Sequence, residues 1–386
     1  MMLDASFARS ARNLFENCAE CRPGDRVLLV YETEQDGYYD PQLSADLFTY
    51  AAQAGYRVEN HGVPLSCDVR DPDAVLRAKM ARADCTIFLA RLGDQIRYRT
   101  QDASKTQIIC YALDRAMFAS PFGQVSYGAF DRLRGLINAA MARAARIEIT
   151  CPLGTHMIGT RPRFPSEGAD TTRKRFPVSI AAPVPAQGFS GRIVQSGFLT
   201  GTGSHYYTPY ACGFDTPVTI TFEGNRITGF DGAARDVEAA RAHYRRVSES
   251  YGIDGNHVHS WHAGIHPGLR YGAFAGASTE RWSGGAFGNP RILHIHTCGD
   301  YPPGEISLNV IDPTITLDGI PVWDSGRLYP ERLAGGAALL DSAPDMAAIF
   351  ANPARDIGLA HDGRLRLHGP APASPTPRCE ATLETA

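Results

Sequence analysis

The sequence predicts an N-terminal α/β domain with a mainly parallel sheet, followed by an α+β, strand-rich C-terminal domain. Three observations predict it. Strand-length apolar runs alternate with amphipathic stretches over the first 150 residues, the pattern of βαβ units. Beyond Cys151 the texture changes to Pro, Gly and Arg, then to strands and turns. A chain of 386 residues has length for two domains.

The elements follow in order. Gly24-Asp25 precedes an apolar run at 26–32, which reads as the first strand. An amphipathic stretch at 43–54 ends at Gly55, a helix with its stop. Strands are expected at 57–64 and 84–90, with a helix at 71–83 between them. Another apolar run covers 106–113, a helix 130–145 and a strand 146–151. The first strand is followed by no G-x-G-x-x-G, so no dinucleotide site is expected. In the second half, 218–222 and 226–230 flank Glu223-Gly224-Asn225 as a hairpin. A helix at 236–251 stops at Gly252, and 257–318 reads as strands and turns. The expected division is an α/β domain over 1–150, an α+β domain over 151–330 and a C-terminal extension over 331–386.

A net charge of -3, with 44% hydrophobic and 20% charged residues, describes a globular protein and not a nucleic-acid binder. No apolar run approaches the ~18 residues of a membrane span, and the first fifteen residues lack the apolar core of a secretory signal. Nine scattered cysteines then read as reduced thiols of a cytoplasmic protein. Cys18 and Cys21 form one C-x-x-C with no second pair, half of a structural zinc site.

The chemistry concentrates in the second half. Six of the twelve histidines, His257, His259, His262, His266, His294 and His296, fall within forty residues. On a strand, His294 and His296 share one face and Leu293 and Ile295 the other. Two imidazoles on one strand face are a metal-ligand geometry, and carboxylates follow at Asp300 and Glu305 with Tyr301 between them. Such a set suits zinc or iron. The basic residues between Arg161 and Arg175, Arg163 among them, are either a solvated loop or the holder of an anionic substrate. The motifs G-x-S-x-G, G-x-x-x-x-G-K and H-E-x-x-H are absent.

Four segments resemble the aminopeptidase T-like metallopeptidases and their oxygenase offshoot, the 2,5-dihydroxypyridine dioxygenases. They are Gly24-Asp25-Arg26-Val27-Leu28, the run Ile149-Thr150-Cys151-Pro152-Leu153-Gly154-Thr155-His156, His294-Ile295-His296-Thr297-Cys298-Gly299-Asp300-Tyr301-Pro302, and the stretch E-I-S-L-N-V-I-D-P-T-I-T-L-D-G over 305–319. The resemblance implies a family scaffold with an altered ligand set. Of the peptidase ligands, His294 and Tyr301 match, whereas Glu305 and Ser307 replace a His and an Asp. The dioxygenase ligands correspond to Ser260, Glu305 and Ser307.

On that scaffold the expected site is a facial triad of His262, His294 and Glu305, with His296 and Tyr301 as acid and base. His259 and Asp300 are further ligands or their supports. His156, His266 and Arg163 are expected on the substrate, His156 because it follows a strand end at the domain boundary. The leading expectation is an iron(II)-dependent oxygenase using O2 on a small polar, N-heteroaromatic substrate. A zinc-dependent amide or peptide hydrolase is the alternative, and a metal-free binding protein on the same scaffold the third. The resemblance also implies a homodimer.

Overall fold

The computed structural model describes residues 3–34, 37–65, 72–97, 102, 104–160, 173–202, 205–299 and 303–369. A five-stranded, wholly parallel sheet forms the first half, in the order Arg57–Val63, Arg26–Glu32, Cys85–Leu89, Thr106–Cys110 and Lys174–Phe176. Val27 to Val30 are all buried, as expected of a central strand covered on both faces. Helix Pro41–Gln53 starts where the Asp40 side chain accepts a hydrogen bond from the Gln42 N–H, with proline in the first turn. It buries Leu43, Leu47 and Ala51 against the sheet. Asp73 caps helix Ala74–Arg82 in the same way.

The second half is antiparallel. An eight-stranded sheet runs Arg226–Asp231, Val218–Glu223, Phe189–Gln195, His156–Thr160, Arg146–Thr150, Thr314–Leu317, Ile320–Asp324 and Arg327–Leu328. The predicted hairpin is its edge, with Gly224 at φ 61° in the turn. A six-stranded sheet runs Cys212–Gly213, Phe198–Gly201, Glu305–Ile311, Ile292–Cys298, Val258–Ala263 and Val184–Pro185. Apolar side chains of both sheets, among them Ile149, Ile193 and Ile220 from one and Trp261, Ile295 and Leu308 from the other, meet in one core.

The chain crosses between the halves more than the sequence implies. Helix Tyr127–Arg143 carries Phe130, Leu133, Ile137 and Met141 at helical spacing, and this stripe packs into the antiparallel core. Arg146–Thr150 pairs with His156–Thr160 and Thr314–Leu317, not with the parallel sheet. Lys174–Phe176 returns to pair with Thr106–Cys110. Helices Gly336–Ser342 and Pro344–Ala351 put Leu339, Met346 and Phe350 into the same core, and Ile357 and Leu365 pack around Trp282. The stretch expected as an extension is thus integrated as far as it is described.

Among the described residues every cysteine is a free thiol, Cys18 and Cys21 being buried in the first core. No helix among them is long and apolar enough to cross a membrane.

Candidate metal centre

The six-stranded sheet has two unlike faces. Strand alternation sends Trp261, Leu293, Ile295, Ile306 and Leu308 to the shared core. It sends Ser260, His262, His294, His296, Ser307 and Asn309 to the other face, where all are buried. Register aligns them: His262 stands opposite His294, Ser260 opposite His296, and on the far side Asn309 opposite His294 and Ser307 opposite His296. Thr200 extends the row opposite Ser307. A buried polar sheet face is costly unless its groups find partners.

Three imidazoles make the centre of that face. Their ring centroids are 4.9 Å apart for His262–His294, 5.0 Å for His262–His296 and 5.1 Å for His294–His296. One ring nitrogen of each lies within 4.8 Å of the others. Hydrogen bonds assign two of the tautomers. His262 Nδ1 is 2.9 Å from the Ala181 carbonyl, which only accepts, so the proton sits on Nδ1 and the Nε2 lone pair is free. His296 Nδ1 likewise donates to Glu305 Oε1 at 2.8 Å, and its Nε2 is buried without a partner. His294 Nδ1 is also buried without one. Phe287 stacks on the His294 ring at 4.5 Å and fixes its plane. Burial pushes the pKa values of His262 and His294 well below the usual imidazole value, and neighbouring histidines, Arg175 and Arg97 push the same way. Both rings are neutral at neutral pH, the state that binds metal. Orphaned nitrogens on buried, converging rings fit a divalent ion.

A second group overlaps the first. His259, half-buried, His296 and Glu305 also bring ligand atoms within 4.8 Å of one another. Glu305 is therefore joined to the three-histidine group through His296, while the ring nitrogens of His262 and His294 gather with His296 instead of with its carboxylate.

The three histidines form one wall of a cavity of about 80 Å³ between the two halves of the molecule. Asp94, Arg97 and Tyr111 face them from the parallel-sheet half, and Arg175, Thr202 and Phe287 are among the other described residues that line it. Asp94 Oδ1 accepts from the Tyr111 hydroxyl at 2.8 Å, and its Oδ2 is 3.0 Å from Arg97 Nη1.

The other expected residues lie elsewhere. His156 is in the eight-stranded sheet, half-exposed, with Nε2 2.9 Å from Glu148 Oε1. It is absent from the cavity lining because the strand before it belongs to the antiparallel sheet, so the rule that ligands sit at parallel strand ends does not apply there. The rule does apply to Cys85–Leu89 and Thr106–Cys110, whose ends lead to Asp94, Arg97 and Tyr111. His266 is wholly buried, stacked on Phe130 at 3.8 Å and edge-on to Phe122 at 4.8 Å, a core residue. His257 Nε2 is 3.1 Å from the Asn225 side chain at the hairpin. Tyr301, Asp300 and Arg163 lie outside the described residues.

No protein-family model matches the chain, and no curated protein matches it in sequence. Among solved structures it is similar to 2,5-dihydroxypyridine dioxygenase from Pseudomonas putida, with a TM-score of 0.54 and 14% identity over 84% of this chain and 96% of that one. AmpT from Thermus thermophilus matches with a TM-score of 0.46 and 10% identity over 84% of this chain and 98% of that one. The fold expected from the four sequence segments is the fold found, shared over 96% of the dioxygenase chain.

Proposed function

We propose that the protein is a mononuclear metalloenzyme that holds iron(II) on His262, His294 and His296 and uses O2 to oxidise a small polar substrate in the adjoining cavity. One observation carries this reading: three buried imidazoles, two with their Nδ1 protons held by hydrogen bonds, converge on a cavity wall. All-imidazole donor sets suit iron and zinc, and the similar fold of a dioxygenase supports the O2-using reading. The set departs from the two-histidine, one-carboxylate triad. Here the carboxylate, Glu305, acts one residue further out, through His296.

Iron bound there supplies the redox chemistry toward O2 that no side chain offers. The chain's own residues do the rest. Glu305 holds the proton on His296 Nδ1 and raises the basicity of that ring, and the Ala181 carbonyl does the same for His262. Phe287 keeps the His294 plane fixed. The Tyr111 hydroxyl, its proton held by Asp94 Oδ1, presents an acceptor oxygen on the opposite wall.

The test is elemental analysis of protein purified without chelators, then anaerobic reconstitution with iron(II) and O2 uptake over a panel of small aromatic and amino-acid substrates. About one iron per chain, required for uptake, is the expected result. Stoichiometric zinc, with amide hydrolysis and no O2 uptake, replaces this reading with the zinc hydrolase. Failure to hold any metal after reconstitution leaves a metal-free binding protein.

A further inference from the structure

The three histidines are not held alike. The His262 ring is fixed by its Nδ1 hydrogen bond to the Ala181 carbonyl, and the His296 ring by its own to Glu305. His294 lacks such a hold, since its Nδ1 is buried without a partner. Its plane is set instead by Phe287, stacked on it at 4.5 Å and 24°. Phe287 follows helix Thr279–Ala286 and meets Trp282 of that helix edge-on at 5.4 Å. Trp282 is wholly buried and is pinned by the chain's C-terminal part, where its Nε1 donates to the Ile357 carbonyl at 2.7 Å.

That part of the chain, residues 354–367, is laid across the same apolar cluster. The Ala354 N–H donates to the Pro267 carbonyl at 2.7 Å, and the Asp356 and Gly358 carbonyls accept from the Tyr271 and Ala275 N–H groups at 3.0 and 2.9 Å. Ile357 and Leu365, each 1% exposed, share the buried cluster with Trp282 and Phe287. Glycines admit the backbone: a Cβ on Gly276 would collide with the Leu367 carbonyl, and one on Gly197 with the Leu365 carbonyl.

We infer that this C-terminal segment is a positioning element of the centre, holding His294 through Trp282 and Phe287 in place of the hydrogen bond that His262 and His296 have. Its effect on metal rests on the reading of the three histidines as ligands. Close-packed interiors transmit displacement, so an apolar stack pinned at its far end can fix a ring as a hydrogen bond does.

The test separates His294 from its neighbour. Gly276→Ala lifts the segment without touching a histidine, Leu365→Ala removes its anchor, and Leu339→Ala, in the other core cluster, controls for lost packing. In the metal-free full-length chain, acylation of His294 and of His262 by diethyl pyrocarbonate is followed by tandem mass spectrometry. The ratio of the His294 rate to the His262 rate should rise about fivefold in Gly276→Ala and Leu365→Ala, as local opening exposes one ring and not the other. It should keep its wild-type value in Leu339→Ala and return toward it in Leu365→Met. Iron(II) affinity, titrated anaerobically against a competing chelator, should fall about tenfold in Gly276→Ala and Leu365→Ala and not in Leu339→Ala. A ratio unchanged in both segment variants, or raised equally in Leu339→Ala, overturns the inference. A raised ratio in the segment variants of a protein that takes up no iron(II) upholds it and overturns the metal reading alone.

Discussion

His296 donates from Nδ1 to Glu305 Oε1 at 2.8 Å, while the opposite nitrogen of the same ring is buried without a partner on the side of His262 and His294. The two residues stand on adjacent antiparallel strands, with His296 in register with Ser307 and Glu305 with Cys298. Glu305 is 2% exposed, and its Oε2 has no partner. A carboxylate in that position fixes the tautomer and orientation of a metal-binding ring.

The first prediction follows from that pair. Glu305→Gln preserves shape and an acceptor oxygen but removes the charge. Metal affinity should fall about 10–100-fold, the usual cost of losing such a support, with the fold intact by circular dichroism. Titration with iron(II) or zinc(II) against a competing chelator measures it. Unchanged affinity would show that Glu305 has no part in the centre.

Direct ligands should behave differently from their support. His262→Ala, His294→Ala and His296→Ala should each abolish stoichiometric metal in elemental analysis. Metal should stabilise the wild type by about 2.7 kcal/mol at a hundredfold excess over Kd, and none of the three variants. Ser307→Ala should retain metal, because the Ser307 hydroxyl bonds to Asn309 Oδ1 at 3.2 Å and not to a histidine ring. The readout is the melting temperature with and without added metal.

Acid should destabilise the metal-free protein through its buried histidines. Burial depresses His266 and His243 to about 3, and holds His262 and His294 well below their usual value. In the unfolded chain these rings take up protons near pH 6.5. Between that pH and the folded value the unfolded state binds more protons, so stability is full above about pH 6.5 and falls as the pH drops. For His266 alone the loss at pH 5 is about 2 kcal/mol. His266→Phe, placed between Phe122 and Phe130, should flatten the acid limb of a stability-against-pH curve by about that amount. A curve as steep as that of the wild type would contradict it.

The sequence disclosed the strands of the site better than its constellation. Period-two alternation is enough to place His294 and His296 on one face, since a strand sends alternate side chains to one side whatever its partners. It does not tell which strands are neighbours. The pairing of His262 with His294 comes from the antiparallel register of Val258–Ala263 with Ile292–Cys298, a non-local fact. The same limit explains 146–150: its apolar alternation reads as a strand, but its sheet is set by partners near residues 156 and 314. Arg97, Asp94 and Tyr111 carried no local motif. Their signal was position, just beyond the ends of parallel strands, and it becomes legible only when the members of that sheet are known.

The last prediction concerns what holds the two cavity walls together. Arg91 heads the helix that carries Asp94, and Glu280 lies on the helix Thr279–Ala286 that leads to Phe287. Arg91 grips Glu32 with Nε at 2.9 Å and Nη2 at 2.8 Å, and reaches Glu280 with Nη1 at 2.9 Å. Its guanidinium also lies 4.3 Å from the Tyr38 ring centre. Arg91 and Glu32 are each 3% exposed, so the pair is shielded from water. Removing one partner of a buried ion pair strands the other and costs about 3–5 kcal/mol. Arg91→Met should therefore destabilise the protein by that amount in denaturant titrations, whereas Arg235→Ala, which breaks an exposed pair with Asp215, should change stability by less than about 0.5 kcal/mol. Arg91→Lys should restore only part of the stability, since a single ammonium cannot hold Glu32 on two oxygens and Glu280 at once. Equal stability of Arg91→Met and Arg235→Ala would remove Arg91 as the fastening between the walls.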